Sequence, residues 1–100
     1  MNAEAVCHVV IHGRVQGVGY RAFVEDEAVR LGLQGWVRNR RAGSVEALLA
    51  GTDEAVDAMI ELCRKGPQGA RVDRIERRGA STDELALRQN RRGFTVLPTI

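Results

Sequence analysis

An α+β domain, with two helices lying on one face of a mainly antiparallel sheet, is predicted by three features of this sequence. Short apolar runs with the two-residue period of a strand occur near both ends of the chain and in its middle. Two longer stretches carry apolar positions at helical spacing. Glycine, alone or followed by proline, stands at nearly every change of period. The resulting order is β-α-β-β-α-β with a short closing strand. Two amphipathic helices need one surface to cover, and such a sheet supplies it. This is the ferredoxin-like two-layer sandwich, a split βαβ topology.

Each element has its own warrant. Val6 to His12 alternates, with Cys7, Val9 and Ile11 on one face and His8, Val10 and His12 on the other. Gly13 to Gly19 holds three glycines in seven residues and reads as a loop. Tyr20 to Leu31 turns helical: Tyr20, Val24, Ala28 and Leu31 form the stripe, Phe23 widens it, and Glu25, Asp26 and Arg30 face water. Gly32 suits the left-handed residue after a helix. Leu33 to Arg41 and Ser44 to Ala50 form a hairpin about Ala42-Gly43. Thr52 caps a second helix, with Asp53 and Glu54 in its first turn. Val56, Met59, Ile60 and Cys63 are its buried stripe, Arg64 and Lys65 suit its C-terminal end, and Gly66-Pro67 stops it. Val72 to Arg78 contains a fourth strand, in which the odd spacing of Val72 and Ile75 suggests a bulge. Ala80 to Arg92 is polar and reads as loop. Phe94 to Leu97 closes the sheet.

One hundred residues make a single domain, residues 1–100, with a core over about 6–97. That length excludes two-domain enzymes and full-size nucleotide-binding α/β folds. No run approaches the roughly 20 apolar residues of a membrane span. Met1 to Ala5 includes Glu4 and no base, so it does not read as a signal peptide. The net charge of +2 is small for a non-specific nucleic-acid binder. Among 15 basic residues only Lys65 is lysine. Arginine's fork suits phosphate or carboxylate, although coding bias gives the same preference. Cys7 and Cys63 read as buried thiols without a CxxC, which points to a reducing, cytoplasmic setting and supplies no zinc site.

Two constellations stand out. Gly17 and Gly19 precede a helix, and Arg14 and Arg21 bracket them. Glycines let consecutive amides converge, the helix start adds unsatisfied N–H groups, and a guanidinium can close over a bound oxyanion. The pattern makes a cradle for a phosphate-sized anion; it is also what a tight strand-to-helix turn needs. No Gly-Lys-Ser/Thr and no GxGxxG is present, so a nucleotide loop is excluded. The second constellation is Gly35-Trp36-Val37-Arg38-Asn39. Asparagine has poor strand propensity, so Asn39 is either a polar residue near a hairpin end or an amide that orients a water. Trp36 reads as packing, and Arg38, Arg40 and Arg41 as solvated.

The block Gly13-Arg14-Val15-Gln16-Gly17-Val18-Gly19-Tyr20-Arg21, followed by Gly35-Trp36-Val37-Arg38-Asn39, resembles the acylphosphatase family. Gly43-Ser44-Val45-Glu46, Cys63-Arg64-Lys65-Gly66-Pro67 and Gly93-Phe94-Thr95-Val96 resemble its later segments. The resemblance implies a ferredoxin-like fold and hydrolysis of the carboxyl-phosphate bond of a small acyl phosphate, with no metal and no cofactor. It implies that the amides of Val15, Gln16, Gly17, Val18, Gly19 and Tyr20 hold the phosphoryl oxygens, or inorganic phosphate in their place. It makes Arg21 and Asn39 the catalytic pair.

The chemistry is consistent with that implication. A carboxylate leaves without a strong general acid, so what remains is to neutralise the phosphoryl charge and aim a water. His8 and His12 are poor candidates for a base, and the substrate's own phosphoryl oxygen can take the proton. The alternative is a small ferredoxin-like nucleic-acid-binding module. Such sheets display aromatics on central strands, and this chain has four aromatics and none on its first strand. No nucleic-acid or membrane partner is expected, and a monomer is.

Overall fold

The computed structural model describes residues 4–89 and 91–100; the reading of Met1 to Ala5 and of Asn90 lies partly or wholly outside them. Five strands form one sheet in the order β4-β1-β3-β2-β5. They are β1 (Glu4–Arg14), β2 (Gln34–Asn39), β3 (Val45–Thr52), β4 (Arg71–Gly79) and β5 (Phe94–Val96). Only the β2–β5 pair is parallel. The helices α1 (Tyr20–Arg30) and α2 (Asp53–Lys65) pack on one face, where Val9, Ile11, Val37, Ala47 and Leu49 meet Tyr20, Val24, Ala28, Val56, Met59 and Cys63. The ferredoxin-like two-layer sandwich is thus the observed fold.

Alternation in β1 and β3 explains why the core falls on this side. Val9, Ile11, Ala47 and Leu49 are fully buried beneath the helices. Of the four buried side chains of α2, Val56, Met59 and Ile60 each contribute roughly 1.5–3 kcal/mol of burial before entropy is counted. Thr52 Oγ1 accepts the Ala55 amide at 3.1 Å and starts that helix; Gly66 ends it. In β4, register skips Asp73: His12 pairs with Arg74 and Gly13 with Val72. This bulge turns Val72 and Ile75 to the same side, where both pack on the core, and accounts for their odd spacing.

Three expectations need correction. The hairpin does not turn on Ala42-Gly43 alone. β2 ends at Asn39, and Arg40 to Ser44 form a wider loop closed by Gly43 N–H to Arg40 O and Arg40 N–H to Ser44 O, both 2.9 Å. Arg40 and Arg41 therefore lie outside the strand, because the turn sits around them. Ala80 to Arg92 is not all loop: Thr82–Arg88 is a 3₁₀ helix. Ser81 and Glu84 form a reciprocal capping box, and Leu85 tucks against Trp36 and Leu48. Arg38 is not solvated. Its side chain is 15% exposed and its Nε donates to Glu46 Oε1 at 2.7 Å.

Glycine is required at Gly35, the second residue of β2. Its φ is 145°, and a Cβ there would overlap the Leu48 carbonyl oxygen on the neighbouring strand. On the sheet face away from the helices, Trp36, Leu48 and Leu97 form a second, smaller apolar cluster. Trp36 Nε1 donates to Glu84 O at 2.9 Å and so fastens the 3₁₀ segment over that face.

Candidate active site

The loop between β1 and α1 runs from Val15 to Gly19. Gly17 and Gly19 have φ of 75° and 78°, and nothing lies within 4 Å of a Cβ built on either. These glycines are needed for backbone handedness, since space is free. Gly19 is also the residue that starts α1. No side chain caps that helix, and its first turn carries no acidic residue. The contrast with α2 is physical: α2 has Thr52 as a cap and Asp53 and Glu54 in its first turn. The dipole and free amides of α1 stay available to an outside anion.

Three side chains fix the loop. Val15 is buried at its start. Tyr20 is buried at its end, where its hydroxyl donates to the Cys63 carbonyl at 2.6 Å and ties the loop to α2. In the middle, Gln16 Nε2 donates to Arg40 O and to Ser44 O, both at 2.8 Å. Gln16 therefore couples the loop to the hairpin end just beyond Asn39. Burial pushes the Tyr20 phenol far above its ordinary value and the Cys63 thiol up to about 11. Both stay protonated at neutral pH, which makes Tyr20 a structural donor and leaves Cys63 unreactive. Cys7 and Cys63 are both free and buried.

Over this loop opens a cleft of about 340 Å³. Val15, Gln16, Gly17, Gly19 and Tyr20 line one side, Arg21 closes it, and Asn39 reaches it from the end of β2. Arg21 is half-buried, and its side chain makes no hydrogen bond or ion pair among the described residues. The Asn39 Oδ1 is buried and has no hydrogen-bond partner among them. A buried amide oxygen left unpaired costs on the order of 1–3 kcal/mol, so its place on a cleft wall points to an occupant that donates to it.

Other residues fall differently. Val18 does not line the cleft; its side chain packs on the core instead. Arg14 ends β1 exposed, opposite Arg71, and is not on the wall. His8 hydrogen-bonds Glu46 on the far face, and His12 Nε2 stands 3.5 Å from Glu76. Trp36, Tyr20 and Phe94 are buried and Phe23 is half-buried. Ala22, Glu25 and Val96 also line the cleft and were not anticipated. Glu25 was legible in principle, because it lies one helical turn after Arg21 on the same face. Among the described residues no three His, Cys, Asp or Glu side chains are grouped to hold a metal ion, and no helix is long and apolar enough to cross a membrane.

Fold and cleft together define a small α+β domain whose one uncapped helix start, flanked by a free guanidinium, suits a tetrahedral oxyanion. The acylphosphatase family profile matches residues 7–96. The chain is 55% identical over 98 residues to an acylphosphatase of Bradyrhizobium diazoefficiens, covering 98% of this chain and 99% of that one. It is 67% identical over 93 residues to that of Azorhizobium caulinodans, covering 93% and 95%. The solved acylphosphatase of Coxiella burnetii superposes with a TM-score of 0.83 at 30% identity, covering 96% of this chain and 94% of that chain. The protein belongs to the acylphosphatase family and is a hydrolase acting on small acyl phosphates.

Proposed function

We propose that this chain hydrolyses the carboxyl-phosphate anhydride bond by direct attack of water, with no metal and no cofactor. The amides of Val15, Gln16, Gly17, Val18, Gly19 and Tyr20 and the Arg21 fork hold the phosphoryl oxygens. Val18 contributes only its backbone, since its side chain faces the core. Asn39 Oδ1 accepts a hydrogen bond from the attacking water and aims its oxygen at phosphorus. The new P–O bond forms as the bond to the acyl oxygen breaks; the carboxylate departs with that electron pair, and the water proton passes to a phosphoryl oxygen. Charge neutralisation and positioning then supply the catalysis, as is general for phosphoryl transfer.

The observation that carries this reading is the buried, unpartnered Oδ1 of Asn39 in the same cleft as the unpaired Arg21. Hydrolysis of benzoyl phosphate and of p-nitrophenyl phosphate, each with EDTA, tests it. Turnover of the first alone, unchanged by EDTA, is expected. Equal rates on both, or loss with EDTA, would reject it.

A further inference from the structure

A second cleft lies on the sheet face away from the helices. Its volume is about 300 Å³, at the lower end for small-molecule sites. Its apolar lining is formed chiefly by Leu87, Leu97 and Ile100. Leu87 and Ile100 are two of the three large apolar side chains left exposed among the described residues. Arg38, Arg88 and Arg91 also line the cleft, and no acidic side chain does.

The three guanidinium groups differ in what balances them. Arg38 is paired with Glu46 and lies over the Trp36 ring at 4.8 Å. Arg88 is held in place, but by neutral acceptors: Nη1 donates to Gly93 O at 2.6 Å and to Gln34 Oε1 at 3.2 Å, and Nε to Leu85 O at 3.4 Å. Its charge has no carboxylate partner among the described residues, and its Nη2 is unbonded there. The Arg91 side chain makes no hydrogen bond or ion pair among them either. A guanidinium that is positioned yet uncompensated favours an anion, and a carboxylate matches its fork.

The apolar wall sets the rest of the ligand. Bare phosphate would leave Leu87 and Ile100 in water, and a cation would be repelled. A short hydrocarbon body covers that wall and fits the volume. We propose that this cleft binds a small organic monocarboxylate, its carboxylate on Arg88 and Arg91 and its body on Leu87, Leu97 and Ile100. The site is separate from the cleft at Arg21 and lies on the opposite face of β2. The tail that walls it also meets the backbone of that strand, since Ile100 N–H donates to Asn39 O at 3.2 Å and Ile100 O accepts from Arg41 N–H at 2.8 Å.

Hexanoate titrated into methyl-labelled protein tests the site by NMR, with inorganic phosphate saturating the cleft at Arg21. Saturable shifts of the Leu87, Leu97 and Ile100 methyls are expected. Hexylammonium and hexanol, which share the body without the carboxylate, should give none. Arg91→Glu, a change at an exposed residue, should weaken hexanoate by about tenfold or more. The proposal is overturned by any of three results. Hexanoate shifts could centre on Val15 and Val96, or be absent. Either control could bind as well as hexanoate. Arg91→Glu could bind hexanoate as the native chain does.

Discussion

Arg21 and Asn39 share one cleft, and the proposed reaction gives them different parts. Arg21 is a cation at the start of a helix, without an ion-pair partner among the described residues, although Glu25 lines the same cleft. Its loss should weaken ground-state binding of phosphate as well as turnover. Asn39 is neutral, and its Oδ1 is a single buried acceptor without a partner among the described residues. Asn39→Ala should leave competition by inorganic phosphate nearly intact while kcat falls by on the order of 10²–10³. Arg21→Ala should raise the inhibition constant of phosphate and lower kcat together. Steady-state kinetics with phosphate as inhibitor separates the two patterns; near-normal kcat in the asparagine variant would remove its role with water. Both residues stand out in the sequence, one by its place after paired glycines and the other as a polar residue in a strand. The unpartnered state of either could not be read there, because it depends on which chain segments come near.

Between strands, a buried polar bridge spans three of them. Glu46 on β3 accepts from Arg38 on β2 and is bonded to His8 on β1. Burial by itself would raise the Glu46 carboxyl, but the hydrogen bonds from Arg38 and His8 outweigh it and hold the group below the ordinary carboxylate range. A carboxyl whose folded value is depressed stabilises the fold above its unfolded value, near 4.5, and that stabilisation disappears as pH falls through the folded value. Urea denaturation of the native chain and of Glu46→Gln, compared between neutral pH and about pH 3, should show the native chain losing more stability on acidification. Parallel losses would mean that the bridge contributes nothing pH-dependent. In the sequence Arg38 looked like one of several surface arginines. Its burial follows from strand alternation, which places it beside Trp36 and opposite Glu46 on one face. The 3₁₀ segment was missed for a related reason. Its Ser81 to Glu84 capping box was visible, but a three-residue turn has no helical apolar stripe to accompany it.

For the whole molecule, both sheet faces matter. The helices cover one, while the 3₁₀ segment and the tail cover part of the other. Only Val29, Leu87 and Ile100 remain as exposed large apolar side chains among the described residues, too few for a stable self-association surface. Sedimentation should therefore give a single species near 11.0 kDa at micromolar concentration. A dimer mass would show that one of these faces is an interface.

What the sequence determined by itself was the order of elements, the helix-facing core and the glycine-rich turn before α1. These depend on periodicity, on local backbone freedom and on capping, all of which act within a few residues along the chain. Even the bulge at Asp73 left its trace in the spacing of Val72 and Ile75. Tertiary structure alone decided that Asn39 ends its strand beside the loop and that Gln16 joins the two. It also decided that Val18 and Arg14 turn away from the cleft while Glu25 lines it. Those outcomes depend on the β2–β3 register and the wider hairpin loop, which bring residues 24 and 28 positions apart within hydrogen-bond reach. Local pattern fixes which way a residue faces, but only the packed sheet fixes what it meets there.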